Sequence, residues 1–202
     1  MIPTALLSKI GSYQIQFGGV TVKVNLIDHA GLLDEKIAEF RNYIGTQRRL
    51  VGIDTGPKIT GALASDWLLL CSGSQCLMID LRIFSYGQTQ GSFHNFMADE
   101  SICFVGLTGS GKKNATIPLY TGITCKTEVG LEHLAARVLK KSQLLKCFEL
   151  EKLGAEVGCD VKPNTSLVLS QDVIAYSNQE MKQAIYGVYH YFLIGHKLLG
   201  LL

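Results

Sequence analysis

The stretch Leu50-Val51-Gly52-Ile53-Asp54 limits what this chain can fold into more than any other. Arg49 introduces a short apolar run, rich in β-branched residues, that stops at a carboxylate and gives way to Gly56-Pro57. That pattern reads as a buried strand whose last side chain is delivered to a cleft. Ligands of α/β sheets collect at the carboxyl ends of strands, so Asp54 marks where chemistry would sit.

The flanking segments supply the rest of a sheet. Tyr13, Ile15 and Phe17 alternate with polar residues, Gly18-Gly19 is a turn, and Val20, Val22 and Val24 alternate again, which predicts a β-hairpin. Leu33, Ile37, Phe40 and Ile44 share one face of a helix that Asp34 helps to start. After Asp54, the runs 67–71 and 76–81 are joined by a short polar turn and complete a β-meander with the central strand. A short helix is expected over 92–97, a buried strand over 102–106, and helices through Leu131–Leu139 and Leu150–Val157, the second closed by Gly158. Ser177 or Asn178 caps the final helix. No repeat or long linker divides the 202 residues, so the expected architecture is one α/β domain, a mixed sheet flanked by helices.

Composition excludes little and directs attention to local residues. A net charge of +2 neither demands nor forbids a polyanionic partner. The six cysteines contain no Cys-x-x-Cys pair and fall mostly inside apolar runs, as reduced structural thiols do, so the chain reads as intracellular, nuclear or cytoplasmic. Cys71 and Cys76 are expected to face each other across a hairpin. Between Ala184 and Leu202 the one formally charged side chain is Lys197, nearly a membrane anchor. His190, His196 and Lys197 interrupt that run, and Met181, Ile185, Val188, Phe192 and Leu199 recur at helical spacing, so a buried helix and no membrane is expected.

Gly106-Leu107-Thr108-Gly109-Ser110-Gly111-Lys112-Lys113 nearly spells a phosphate loop. Lys113 stands where a Ser or Thr would hold magnesium, and Asn114-Ala115-Thr116-Ile117-Pro118 is a poor start for the long helix such a loop needs. The segment reads instead as an exposed basic loop.

Taken in order, Phe17-Gly18-Gly19, Leu50-Val51-Gly52-Ile53-Asp54, Gln75-Cys76-Leu77-Met78-Ile79-Asp80-Leu81, Phe104-Val105-Gly106, Leu131-Glu132-His133-Leu134-Ala135 and Gln183-Ala184-Ile185-Tyr186 resemble the plant Werner syndrome-like 3′-to-5′ exonuclease family, over about residues 12–200. The resemblance implies a ribonuclease H-like fold, DNA or RNA 3′ ends as partners, and two divalent metals, Mg2+ or Mn2+. In that family the metals are held in an Asp-x-Glu, Asp, Tyr-x-x-x-Asp pattern.

Carried over position by position, that pattern is depleted here. Asp54 matches the first Asp, but the Glu two residues on is Gly56. Lys112, with a one-residue uncertainty, stands for the second-motif Asp; Tyr186 matches the Tyr, and His190 replaces the last Asp. A two-metal site needs several carboxylates to offset two dications, and a lysine there opposes them. The expected consequence is a catalytically inactive exonuclease-like domain without a metal cofactor. Its vestigial site would be Asp54, Gly56, Tyr186 and His190, with Lys112 and Lys113 contacting phosphates. Blander roles exist for each: Asp54 as an acceptor for the following loop, Tyr186 as a core aromatic, His190 as a satisfied imidazole, and the lysines as solvated charges. Two alternatives remain. One is a residual metal-dependent exonuclease drawing on Asp66, Asp80, Asp99 or Glu128. The other is an interaction protein that self-associates or binds a protein partner through apolar termini such as Leu198-Leu199-Gly200-Leu201-Leu202.

Overall fold

The computed structural model describes residues 12–17, 19–45, 49–55, 67–84, 91–108, 125–161 and 178–202. Seven strands form one mixed sheet: β1 (Ser12–Phe17), β2 (Val20–Ile27), β3 (Leu50–Thr55), β4 (Trp67–Ser72), β5 (Gln75–Asp80), β6 (Cys103–Gly106) and β7 (Glu128–Gly130). Their order is β1-β2-β5-β4-β3-β6-β7. The hairpins β1/β2 and β4/β5, and the pair β3/β4, are antiparallel, whereas β2/β5, β3/β6 and β6/β7 are parallel. The expected meander is present, and Cys71 pairs with Cys76 across it. β7, three residues long, escaped the sequence reading because so short a segment carries no periodicity.

Among the described residues five α-helices flank the sheet: α1 (Ala30–Gly45), α2 (Gly91–Met97), α3 (Leu131–Val138), α4 (Leu150–Glu156) and α5 (Asn178–Gly200). Helix α1 begins a turn earlier than Asp34. Strand β2 runs on to Ile27, and Leu33 is already fully buried in the helix's first turn, while the Asp34 carboxylate accepts the Ser92 hydroxyl of α2. Gly158, at φ +66°, closes α4 as expected.

Alternation sorts the strands onto two faces. Val51, Ile53, Leu68, Leu70, Leu77 and Ile79 pack with α1 and α2 on one side. Trp67, Leu69, Cys71, Cys76 and Met78 pack with Ile185 and Val188 of α5 on the other, where Leu50 and Val105 meet Phe192, Ile194 and Leu198. The central strands are buried on both faces, which is why their sequences are unbroken apolar runs. Among the described residues no helix is long and apolar enough to cross a membrane.

Candidate functional site

Helix α5 lies directly on β3 because Gly52 lacks a side chain. A Cβ at Gly52 would collide with the Val188 carbonyl oxygen and lie 2.8 Å from the Phe192 nitrogen. Farther along α5, a Cβ at Gly195 would lie 3.5 Å from Leu50 Cδ2, so the helix runs antiparallel to β3. Asp54 alternates with Ile53 and therefore faces α5.

Tyr191 is the α5 residue that reaches it. Three residues beyond Val188, it lies on the sheet-facing side of the helix, and its hydroxyl donates to the Asp54 carboxylate. Burial pushes the Asp54 carboxyl up to about 7, against the opposing pull of the Thr55 N–H and the Tyr191 hydroxyl. Burial likewise raises the Tyr191 phenol, helped by the charges of Asp54 and Glu132, so the phenol keeps its proton and remains the donor.

Tyr186 and His190 are elsewhere. At about 100° per residue they lie roughly 160° round the helix from Val188, away from the face seated on β3. The buried His190 ring places Nδ1 2.8 Å from the Tyr186 carbonyl oxygen, which can only accept, so Nδ1 carries the proton. Burial lowers the His190 pKa, and Asp160 partly opposes that. The two rings sit 4.0 Å apart between centroids. Asp54 is thus brought together with Tyr191, and the Tyr186–His190 pair forms a separate contact. Position 187, one turn before Tyr191, is a glycine at which a Cβ would meet nothing within 4 Å. Gly56, Lys112, Lys113 and Asp66 lie outside the described residues.

The carboxyl ends of the parallel strands bring two further groups to this end of the sheet. Thr108 follows β6, and Glu132 opens α3 immediately after β7. The Thr108 hydroxyl donates to Glu132 Oε1, and Glu132 is fully buried, with Oε2 lacking a hydrogen-bond partner among the described residues. Sequence reading missed Glu132, since a charged residue in the first turn of a helix reads as a solvated dipole partner. The other strand-end acids are otherwise engaged. Asp80 is held by Arg82, whose Nε lies 2.9 and 3.0 Å from its two oxygens. Asp99 bonds Ser101 and Arg41 at the opposite end of β6. Glu128 lies on β7, partly buried.

Two divalent cations need a cage of carboxylates. Among the described residues no group of three or more His, Cys, Asp or Glu is placed to hold a metal ion, and one side of Asp54 is taken by a phenol. The described donors do not fit a two-metal centre.

No protein-family model matches the chain, and no curated protein matches it. Solved structures do. One is the EXD2 exonuclease domain soaked in Mg and GMP, 18% identical over 88% of this chain and 88% of that one, with a TM-score of 0.50. The same domain soaked in Mn and GMP gives 19% identity, 89% and 91% coverage, and a TM-score of 0.50. Escherichia coli RNase D, an exoribonuclease involved in structured RNA processing, gives a TM-score of 0.63 at 15% identity. This chain matches it over 88% of its own length and 44% of the RNase D chain. At these identities the likeness establishes the fold, a ribonuclease H-like exonuclease fold with a mixed sheet flanked by helices.

Proposed function

We propose that residues 1–202 form a catalytically inactive 3′-to-5′ exonuclease-like domain of the plant Werner syndrome-like kind, acting by binding nucleic acid ends. The observation that carries this reading is Asp54. It stands at the carboxyl end of the central strand beside Tyr191, and among the described residues it belongs to no group of three or more His, Cys, Asp or Glu placed to hold a metal ion, where an exonuclease would gather several carboxylates. The loss of the acids at Gly56, Lys112 and His190 supports the same reading from sequence. Lys112 and Lys113 replace metal charge with fixed positive charge, which holds a phosphate without activating water.

Binding of a labelled single-stranded oligonucleotide, with and without EDTA and across a salt series, tests this. Affinity unchanged by EDTA and falling steeply with salt is expected. Absence of affinity for either DNA or RNA would overturn nucleic acid binding and leave a protein partner or self-association as the function of the scaffold.

A residual metal-dependent exonuclease is the second reading, and one observation favours it. Glu132 is a fully buried carboxylate with one oxygen unpartnered among the described residues, an arrangement that is costly unless something else satisfies it. EDTA-sensitive binding in the same experiment would favour that reading.

A further inference from the structure

A polar cavity lies at the other end of β3 from Asp54. It has a volume of about 110 Å3 and is walled by Arg41 and Gly45 of α1, Arg49 before β3, and Asp99 and Ser101 before β6. Residue 49 is five residues from Asp54, roughly 17 Å along an extended strand. Helix α1 also lies on the face of the sheet opposite α5.

The charges in this cavity are unevenly matched. Asp99 accepts from the Ser101 N–H at 3.0 Å and from the Ser101 hydroxyl at 2.6 Å, and it pairs with Arg41. Arg49 Nη1 donates to the Ser101 oxygen at 2.7 Å, and among the described residues its guanidinium has no carboxylate partner. Among the described residues one of its five N–H donors is engaged, by the Ser101 oxygen. The carbonyl end of α1 contributes a partial charge of about −0.5, which together with Asp99 does not cancel two guanidinium groups. Neither arginine bonds an α1 carbonyl among the described residues, so helix capping does not account for them.

The backbone at Arg49 is unusual as well. Its φ is +49°, a left-handed conformation that side chains other than glycine rarely adopt. The turn is fixed because the Arg49 carbonyl accepts the Cys103 N–H at 2.9 Å, tying β3 to β6. Glycine would make that turn without strain, so the arginine side chain is what the strained position supplies.

We infer that this cavity is an anion site that takes a phosphate group, with Arg49 as the principal donor and Arg41 and Ser101 beside it. The planar guanidinium fork matches two phosphate oxygens, and the cavity is open enough to admit the group. The site goes beyond the end-binding role proposed for Lys112 and Lys113 and does not depend on it.

Calorimetric titration of the full chain with inorganic phosphate, with adenosine monophosphate, and with a short oligonucleotide lacking terminal phosphates tests the inference. Saturable binding at about 1 mM or tighter is expected for at least one probe. Arg49→Gly is expected to weaken it at least about tenfold, as the loss of a charge-assisted hydrogen bond does. Because glycine suits the left-handed turn, the variant should melt no lower than the natural chain. Preference for the mononucleotide or the oligonucleotide identifies the source of the phosphate. Absence of binding to all three probes, or equal affinity in Arg49→Gly, would overturn the site.

Discussion

Gly52→Ala is expected to destabilise the fold by about 3 kcal/mol, near the upper end of what overpacking a core costs. The added methyl would collide with backbone atoms of α5, the Val188 carbonyl and the Phe192 nitrogen, and backbone within a helix cannot turn aside as a side chain can. Relief requires the whole helix to lift off β3, opening the contacts of Ile185, Val188 and Phe192 with the sheet. For a chain of this size the loss corresponds to a melting temperature lower by about 10 °C. Gly187→Ala is the control. Its methyl would meet nothing within 4 Å, and alanine in a helix is favoured over glycine by about 1 kcal/mol, so that variant should be slightly more stable. Thermal or urea denaturation checks both. Equal melting of Gly52→Ala and the natural chain would mean that α5 does not rest on Gly52.

Asp54→Asn is expected to raise stability at pH 8 and leave it unchanged at pH 4. The Asp54 carboxyl ionises at about 7 in the folded chain against a reference of 3.8. Below about pH 4 it is protonated in both states and contributes nothing. As pH rises from 4 to 7 the unfolded chain ionises first, so stability falls, and the whole loss is present above 7. A shift of this size sets a ceiling of about 4 kcal/mol, and the partial exposure of Asp54 reduces the expected loss to about 2 kcal/mol. Asparagine still accepts from the Thr55 N–H and the Tyr191 hydroxyl without acquiring a charge. Denaturation at pH 4, 6 and 8 gives the result: parallel profiles for the two proteins would contradict the environment assigned to Asp54.

Most of the sheet was legible because burial on two faces writes itself as unbroken apolar sequence. Leu68, Leu69 and Leu70 point alternately to opposite sides and are all fully buried. The stripe of Ile185, Val188 and Phe192 likewise marked the buried side of α5. The site was only half legible, because the spacing of Tyr186 and His190 was read without its phase against that stripe. Measured from Val188, the stripe itself selects Tyr191. Asp80 and Asp54 looked alike as acids ending strands, and what separates them is Arg82, two residues after the first and able to fold back on it. Glu132 was hidden because its burial comes from long-range packing between α3, α5 and the Thr108 turn. The left-handed turn at Arg49 has no sequence signature, since the residue that suits it is absent.

The central claim, an exonuclease fold without exonuclease chemistry, is tested most directly by a time course. A 3′-labelled duplex with a recessed end, and a single-stranded RNA, would be incubated with the protein in magnesium and then in manganese. Losing a second metal and the carboxylates that hold it costs several kcal/mol of transition-state stabilisation, or rates lower by roughly a thousandfold or more. Neither strand is expected to shorten. Shortening of either strand that EDTA stops would contradict the account, and would mean that metal ligands other than Asp54 complete a working centre.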